Sequence, residues 1–241
     1  MSATPRRKSE PELAIDTRQP GASARAEFER RQRADDARRQ AVFGRYLSPV
    51  VKLVAGERQT TRAWSQGGRG EERVGHLLSK AVGLDGVVLH DRSIPGRSSN
   101  IDHIAIVPSG VWVIDTKQYT GRVQQRDLGS WFVSRPALFL NGRNRSSLIG
   151  GVLRQVDRVE PLVEADVPLH AALCFADAEW GLLGRPFTID GVHITWANKL
   201  SSSLVARGPL SVDAIRTLAG RIAAAFPAYA PSGTSHSPTG A

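Results

Sequence analysis

Three ionisable residues lie at the ends of two apolar segments of this 241-residue chain, where they could act together on a phosphate group. Asp102 opens the segment at 101–107, and Asp115 and Lys117 close the segment at 111–117. Side chains two residues apart on a β-strand point to the same face, so Asp115 and Lys117 share a face. The second segment begins with an unbroken apolar run, which favours a strand buried on both faces. Charged groups at the end of such a strand need a partner or a metal ion.

The turn between the two segments decides whether Asp102 joins this pair. A two-residue turn at Ser109 and Gly110 would place Asp102 opposite Lys117, on the shared face. A three-residue loop would turn Asp102 to the other face, because a shift of one residue reverses every side chain. Pro108, Ser109 and Gly110 are compatible with both turns, so the sequence leaves the register open.

Two neighbouring carboxylates suit a hard divalent cation such as Mg²⁺, which keeps part of its water shell and binds phosphate. A cation of this kind polarises a phosphoryl oxygen and lowers the pKa of a bound water. A nearby lysine can orient or deprotonate that water, or offset charge in the transition state. Glu71, at the start of a predicted helix, is a candidate third acid. Glu71, Asp102, Asp115 and Lys117 together are the parts of a metal-dependent phosphodiesterase.

The segments that must position these residues alternate between helical and strand patterns. Helices are predicted over 71–82, 147–164 and 211–226, and strands over 86–90, 101–107, 111–117, 122–125, 131–133, 169–175 and 192–196. Glycines at 67, 68 and 70 are expected to break the chain before the first helix. This order predicts a mixed α/β fold.

Composition argues against a disulfide-rich, zinc-thiolate or membrane-spanning protein. With one cysteine, Cys174, the chain has neither a disulfide framework nor a thiolate-rich zinc site, and a lone thiol fits a reducing compartment such as the cytoplasm. The sequence contains no apolar stretch of the about 18 residues that a membrane-spanning helix needs. The formal charge is +9, and residues 1–62 hold 14 cations and 8 anions, so most of the excess lies near the N-terminus.

The chain divides into four predicted parts. A disordered tail is expected over 1–24, a basic helical extension over 25–61, a folded domain over 62–228 and a second tail over 229–241. A basic arm of this kind is typical of nucleic-acid contact, although a solvated helix without a specific role has the same pattern. Residues 25–55 could also form an amphipathic helix that docks on a membrane surface or a partner.

Three runs of sequence resemble one known family. They are GGRGEERVGHLL (67–78), VVLHDRSIPG (87–96) and NIDHIAIVPSGVWVIDTKQYTGRV (100–123). They closely resemble the nuclease-related domain (NERD) family of the PD-(D/E)xK restriction-endonuclease-like superfamily, over roughly residues 62–165.

The resemblance assigns roles residue by residue. Gly70-Glu71 matches the Gly-Glu pair that opens the first helix, and Asp102 matches the first metal-binding acid of an Ile-Asp-His step. Asp115 and Lys117 match the acid-x-Lys step, with Asp115 standing where many members have Glu. Gln155 is a candidate for the glutamine that superfamily relatives often carry on the following helix.

The resemblance implies a restriction-endonuclease-like mixed β-sheet core flanked by helices. It implies a Mg²⁺-dependent nuclease, with Mn²⁺ as a possible substitute, that hydrolyses nucleic acid, with DNA the expected substrate. Asp102, Asp115 and Glu71 would bind the metal, and Lys117 would handle the attacking water. The basic arm and scattered arginines would hold the phosphate backbone with low sequence specificity. The alternative is a non-catalytic module of the same fold that binds nucleic acid or a partner; the oligomeric state is left open.

Other residues are expected to be structural. His103 follows Asp102 and should face the opposite side of the strand. Cys174 lies in an apolar strand and is expected to be inert. Trp131, like the other four tryptophans, is expected in the core or at its rim.

Overall fold

The computed structural model describes residues 20–21, 59–181 and 184–229, with side chains from residue 69 onward in the second range. Most of the predicted tail over 1–24 and of the basic extension over 25–61 therefore lies outside the described residues. The same holds for residues 230–241 of the second predicted tail. Within the described part, none of the helices is long and apolar enough to cross a bilayer.

The described chain is a mixed α/β structure. Its helices are α1 (Gln59–Val82), α2 (Ser147–Val159), α3 (Ala197–Leu204) and α4 (Val212–Ala225), with a 3₁₀ turn (Glu160–Leu162) after α2. Its strands are β1 (Val87–Ser93), β2 (Asn100–Val107), β3 (Gly110–Lys117), β4 (Gly121–Asp127), β5 (Pro136–Leu140), β6 (Arg143–Asn144), β7 (Leu169–Phe175), β8 (Ala178–Glu179), β9 (Phe187–Ile189) and β10 (Val192–Thr195).

The strands form two mixed sheets flanked by helices. The larger sheet has the order β1-β2-β3-β7-β10-β9, and the smaller has the order β6-β5-β4-β8. The antiparallel hairpin of β2 and β3 joins β7 in parallel pairing, so β3 is central. The predicted α/β class is confirmed, and the arrangement is consistent with a nuclease-like fold.

Helices cover both faces of the larger sheet, which explains the apolar run in β3. Leu78 of α1 and Leu200 of α3 belong to the core cluster on one face. Ile215 and Ile222 of α4 belong to the cluster on the other face. Every residue of β3 except Lys117 is buried as a result.

One predicted helix boundary and one predicted strand were wrong. Helix α1 is described from Gln59 and runs through the glycines at 67, 68 and 70 that were expected to break the chain. Two glycines of this helix let other residues pack closely against its backbone. A Cβ on Gly70 would lie 2.8 Å from Gln118 Oε1, and a Cβ on Gly75 would lie 2.5 Å from Pro20 Cβ. The predicted strand over 131–133 lies instead in the exposed loop between β4 and β5. By contrast, Ser211 caps α4 as its position suggests, accepting a hydrogen bond from Ala214 N at 3.3 Å.

The turn between β2 and β3 differs from both turns considered from the sequence. Val107 pairs with Gly110, so Pro108 and Ser109 form the two-residue turn. Gly110 takes part in the ladder with a φ of 129°, and a Cβ there would lie 2.2 Å from Pro168 O. This register differs from the predicted Ser109-Gly110 turn by an even number of residues, so Asp102 stays on the face of Asp115.

We expect Gly110→Ala to destabilise the protein by about 3 kcal/mol or more. Alanine is strained at this φ, and its Cβ would collide with the Pro168 carbonyl oxygen. Gly151→Ala is the matched control, since nothing lies within 4 Å of a Cβ at this position on α2. We expect the control to gain about 0.5–1 kcal/mol from helix propensity. Urea unfolding of both variants measures the difference. A wild-type midpoint for Gly110→Ala would contradict the described turn.

Candidate active site

The hairpin brings Asp102 and Asp115 to the same end of the sheet. The last pair of the β2–β3 ladder is His103 with Ile114, and the next position outward is Asp102 opposite Asp115. The Asp102 carboxylate folds onto the neighbouring strand, where Oδ2 accepts a hydrogen bond from Thr116 N at 2.7 Å. Asp102 is therefore tied to β3 by its side chain.

Asp115 is held from two sides. Lys117 Nζ lies 2.6 Å from Asp115 Oδ2, as the shared face of residues two apart predicts. Gln155 of α2 donates from Nε2 to Asp115 Oδ1 at 3.2 Å, and Gln155 Oε1 is buried without a partner in the described structure. The candidate glutamine, Gln155, is thus brought into the site.

Glu71 enters the site from α1. Its side chain is buried, and Oε1 accepts a hydrogen bond from Gly21 N at 3.1 Å. Burial, followed by repulsion from Asp102 and Asp91, raises the pKa of Glu71 well above its usual range. The Gly21 N–H and the Lys117 ammonium oppose that rise. Glu71, Asp102, Asp115 and Lys117 therefore form one electrostatic cluster.

The ionised form of the Asp102 carboxyl is destabilised in this cluster. Burial and the Asp115 carboxylate raise the pKa of Asp102 to about 7, against the opposing effects of Lys117 and the Thr116 N–H. Lys117 responds in the opposite way. Burial alone would lower the pKa of Lys117, but Asp115 and Asp102 outweigh it and raise the pKa above its ordinary value. Lys117 is therefore a firmly protonated ammonium.

Sequence reasoning missed Asp91 on the neighbouring strand. His90 pairs with His103 and Arg92 with Ile101, so Asp91 occupies the position opposite Asp102 in the β1–β2 ladder. Three aspartates thus stand in one row across β1, β2 and β3. Asp91 has a φ of 51° and accepts a hydrogen bond from Asn100 Nδ2 at 2.9 Å. The signal in the sequence was a charged pair, Asp91-Arg92, shortly after the apolar residues 87–89 of β1.

The donor set suits a hard divalent cation. Carboxylate oxygens are the preferred protein ligands of Mg²⁺, which needs only one or two of them because it retains several waters. Repulsion among Glu71, Asp91 and Asp102 leaves negative charge that such a cation would offset. Within the described ranges, no group of three or more His, Cys, Asp or Glu residues is arranged as a ready-made metal shell. Asp102 and Asp115, opposite each other at the end of the hairpin, could hold a largely hydrated ion of this kind.

A polar chain fixes α1 against the end of β3. Gln118, directly after Lys117, accepts from Gly70 N at 3.0 Å and donates from Nε2 to Asp177 Oδ2 at 2.5 Å. Arg73 of α1 binds the other oxygen of Asp177 at 2.5 Å. A cleft of about 760 Å³ adjoins this chain, lined by Gln118, Tyr119, Thr120, Leu140, Asn141, Arg143, Arg145 and Asp177. A substrate in that cleft would contact arginine side chains.

His103 lies on the other side of β2 from Asp102, as expected. It is fully buried, and its Nδ1 lies 2.9 Å from His90 Nδ1. His90 Nε2 in turn contacts Ser79 Oγ at 2.8 Å. Burial lowers the pKa of both histidines, with Arg92 adding to the effect at His90 and His90 at His103. The pair is part of the packing between α1 and the sheet.

Fold and site together define an α/β protein with an acid-x-lysine cluster at the end of a central hairpin. Residues 66–176 match the family model of the nuclease-related domain, NERD. This match confirms the resemblance that the sequence predicted over roughly residues 62–165. The range includes Glu71, Asp102, Asp115, Lys117 and Gln155. Comparisons with curated proteins and with solved structures gave no match.

Proposed function

We propose that this protein is a metal-dependent nuclease that hydrolyses phosphodiester bonds, with DNA as its substrate. The observation that carries the proposal is the Lys117–Asp115–Gln155 contact beside Asp102 at the end of the β2–β3 hairpin. The match of residues 66–176 to the nuclease-related domain supports the same class of activity. This is the arrangement expected of a PD-(D/E)xK site.

Asp102 and Asp115 are the proposed ligands of Mg²⁺, or of Mn²⁺ in its place, and Glu71 supports them from α1. The bound metal would supply Lewis-acid activation of the phosphoryl group and of water. Gln155 holds one oxygen of Asp115 and so fixes the orientation of that carboxylate. Gln155 is a positioning residue in this proposal.

Lys117 acts through its charge. Its raised pKa means that the amine seldom gives up its proton, so Lys117 is poorly suited to remove one from water. A fixed ammonium at 2.6 Å from Asp115 Oδ2 can instead orient the attacking water and stabilise negative charge that develops on the phosphoryl oxygens. Of the roles considered for this lysine, orientation and charge stabilisation fit the electrostatics best.

The arginines of the cleft are the proposed phosphate contacts. Arg143 and Arg145 line it, and guanidinium groups bind phosphate oxygens without reading the bases. Low sequence specificity follows from this kind of contact. The basic arm within residues 1–62 is proposed as an additional contact with the phosphate backbone. Cys174 is buried, and burial raises the pKa of its thiol to about 12, which suits an unreactive residue in a cytoplasmic protein.

Cleavage of circular and linear DNA by the full chain in Mg²⁺, Mn²⁺ or EDTA tests the proposal. We expect cleavage in either metal and none in EDTA, with several sequences cut at similar rates. The alternative is a non-catalytic module that binds nucleic acid or a partner. It is favoured by one observation, that both oxygens of Asp115 already have protein partners. Absence of cleavage of DNA and RNA in every metal, with binding retained, would support that alternative.

A further inference from the structure

The loop between β4 and β5 exposes a cluster of apolar side chains. Trp131 is 94% exposed and Phe132 is 93% exposed, with Val133 and Leu128 beside them. The expectation that Trp131 lies in the core or at its rim was therefore wrong. Large apolar side chains gathered at one exposed point are uncommon on a soluble surface and mark binding sites. We call residues 128–134 the aromatic tip.

The aromatic tip has a fixed shape. The Asp127 carboxylate accepts hydrogen bonds from Gly129 N and Arg135 N, both at 2.7 Å, and from Ser134 Oγ at 2.6 Å. Ser130 and Val133 exchange backbone hydrogen bonds across the tip at 3.0 and 3.2 Å. A loop preorganised in this way loses little conformational entropy when its side chains bind a ligand. The exposure of the aromatics is thus built into the loop.

Charge around the tip favours a polyanion. Residues 121–145 contain five arginines and one acid, a net charge of +4, and that acid, Asp127, is engaged in the loop. Arg126 lies 4.6 Å above the ring of Phe139 on the solvent side of β4 and β5. Arg135 follows the tip and is exposed. Arginine beside exposed aromatic rings is the combination that single-stranded nucleic acid binds, through its phosphates and its bases.

The tip lies at one end of β4, and the cleft beside Gln118 lies at the other. Strand β4 begins four residues after Lys117, and its first residue pairs with Ala178 near the cleft. Arg143 and Arg145, just beyond β5, line that cleft. Seven residues of β4 at about 3.3 Å each place the tip roughly 20 Å from the cleft. A nucleic-acid strand can span that distance, whereas a membrane surface would touch the tip alone.

We propose that Trp131 and Phe132 stack on unpaired bases of a nucleic acid whose backbone follows the arginines into the cleft. The protein would then prefer single-stranded or gapped substrates over intact duplex. This inference rests on the proposed nuclease function, because it assumes that nucleic acid occupies the cleft.

The test compares binding of one labelled oligonucleotide as a single strand and as a blunt duplex, by fluorescence anisotropy in EDTA with the full chain. The variant is Trp131→Ala with Phe132→Ala. The matched control is Leu84→Ala, which removes a 96% exposed side chain from the turn before β1. We expect the tip variant to lose about 10-fold or more in affinity for the single strand and less than about threefold for the duplex. The control should match the wild type on both.

Wild-type affinity of the tip variant for the single strand, or equal losses on single strand and duplex, would overturn the stacking role. If the wild type still cleaves DNA in that case, the proposed nuclease function stands without this inference. A wild type that neither binds nor cleaves nucleic acid would overturn both. Loss of binding to vesicles of phosphatidylserine and phosphatidylcholine, with nucleic-acid binding intact, would assign the tip to a membrane and contradict the inference.

Discussion

Lys117→Ala is expected to lower the rate of DNA cleavage by about 10²–10³-fold, the usual effect of removing one group that stabilises transition-state charge. The ammonium lies 2.6 Å from Asp115 Oδ2 and keeps its proton, so its positive charge is available throughout the reaction. The two aspartates remain in the variant, and substrate binding should weaken only modestly. Single-turnover cleavage in Mg²⁺, with affinity measured in parallel in EDTA, separates the two effects.

Lys199→Ala is the matched control, because this lysine is exposed on α3 and lies outside the cluster around Asp115. It removes the same charge from the chain and should cleave at the wild-type rate. Equal cleavage by Lys117→Ala and the wild type would place the active site elsewhere or indicate a contaminating nuclease. A parallel loss in both variants would point to a general effect of net charge on substrate binding.

The sequence predicted the parts of this site that depend on local geometry. Asp115 and Lys117 share a face because strand side chains alternate, and the structure pairs them directly. The position of Asp102 depended on the turn, for which the sequence offered two answers. The observed turn, at Pro108 and Ser109, is neither of these. Like the two-residue turn at Ser109 and Gly110, however, it places Asp102 on the face of Asp115. A close approach between Gly110 and Pro168 accompanies this turn, and such a long-range contact cannot be deduced from local pattern.

Contacts between distant segments account for what the sequence did not predict. Asp91 joins the row of aspartates only because β1 pairs with β2. The loop between these strands has no local pattern that predicts their register. The glycines of α1 looked like a break, but tertiary packing against Gln118 and Pro20 accommodates two of them within the helix. Trp131 and Val133 looked like strand residues, but the hydrogen bonds of Asp127 close a loop there. In each case a tertiary or side-chain contact overrode the local propensity.

Asp102→Asn is expected to lower metal-dependent cleavage strongly while making the metal-free protein more stable at pH 8. Burial and Asp115 raise the pKa of Asp102 from 3.8 to about 7, so the ionised carboxylate is a cost to the folded state. Asparagine has nearly the same shape, can still accept from Thr116 N, and carries no charge. We expect a loss of cleavage of about 10²–10³-fold, as for other removals of one essential polar group.

The sign of the pH dependence follows from the raised pKa. The folded state holds the Asp102 proton more tightly than the unfolded state, so its contribution to stability is fully present below pH 3.8 and is lost as pH rises to about 7. The melting temperature of Asp102→Asn should therefore exceed that of the wild type by several degrees at pH 8 and by less at pH 5. Asp85→Asn, in the exposed turn before β1, controls for the loss of one negative charge.

Mg²⁺ should make the wild type more stable than Asp102→Asn at pH 8. A bound divalent cation offsets the charge of Asp102 and Asp115, so Mg²⁺ should raise the melting temperature of the wild type at pH 8. It should raise it less at pH 5, where protons compete for the carboxylate. Asp102→Asn should show little response at either pH. A wild type that is indifferent to Mg²⁺ at pH 8 would argue against a metal on these two aspartates, whereas unchanged cleavage by Asp102→Asn would remove this residue from the proposed site. The metal response tests whether the charge of Asp102 binds a cation, and the cleavage rate tests whether that charge serves the proposed reaction.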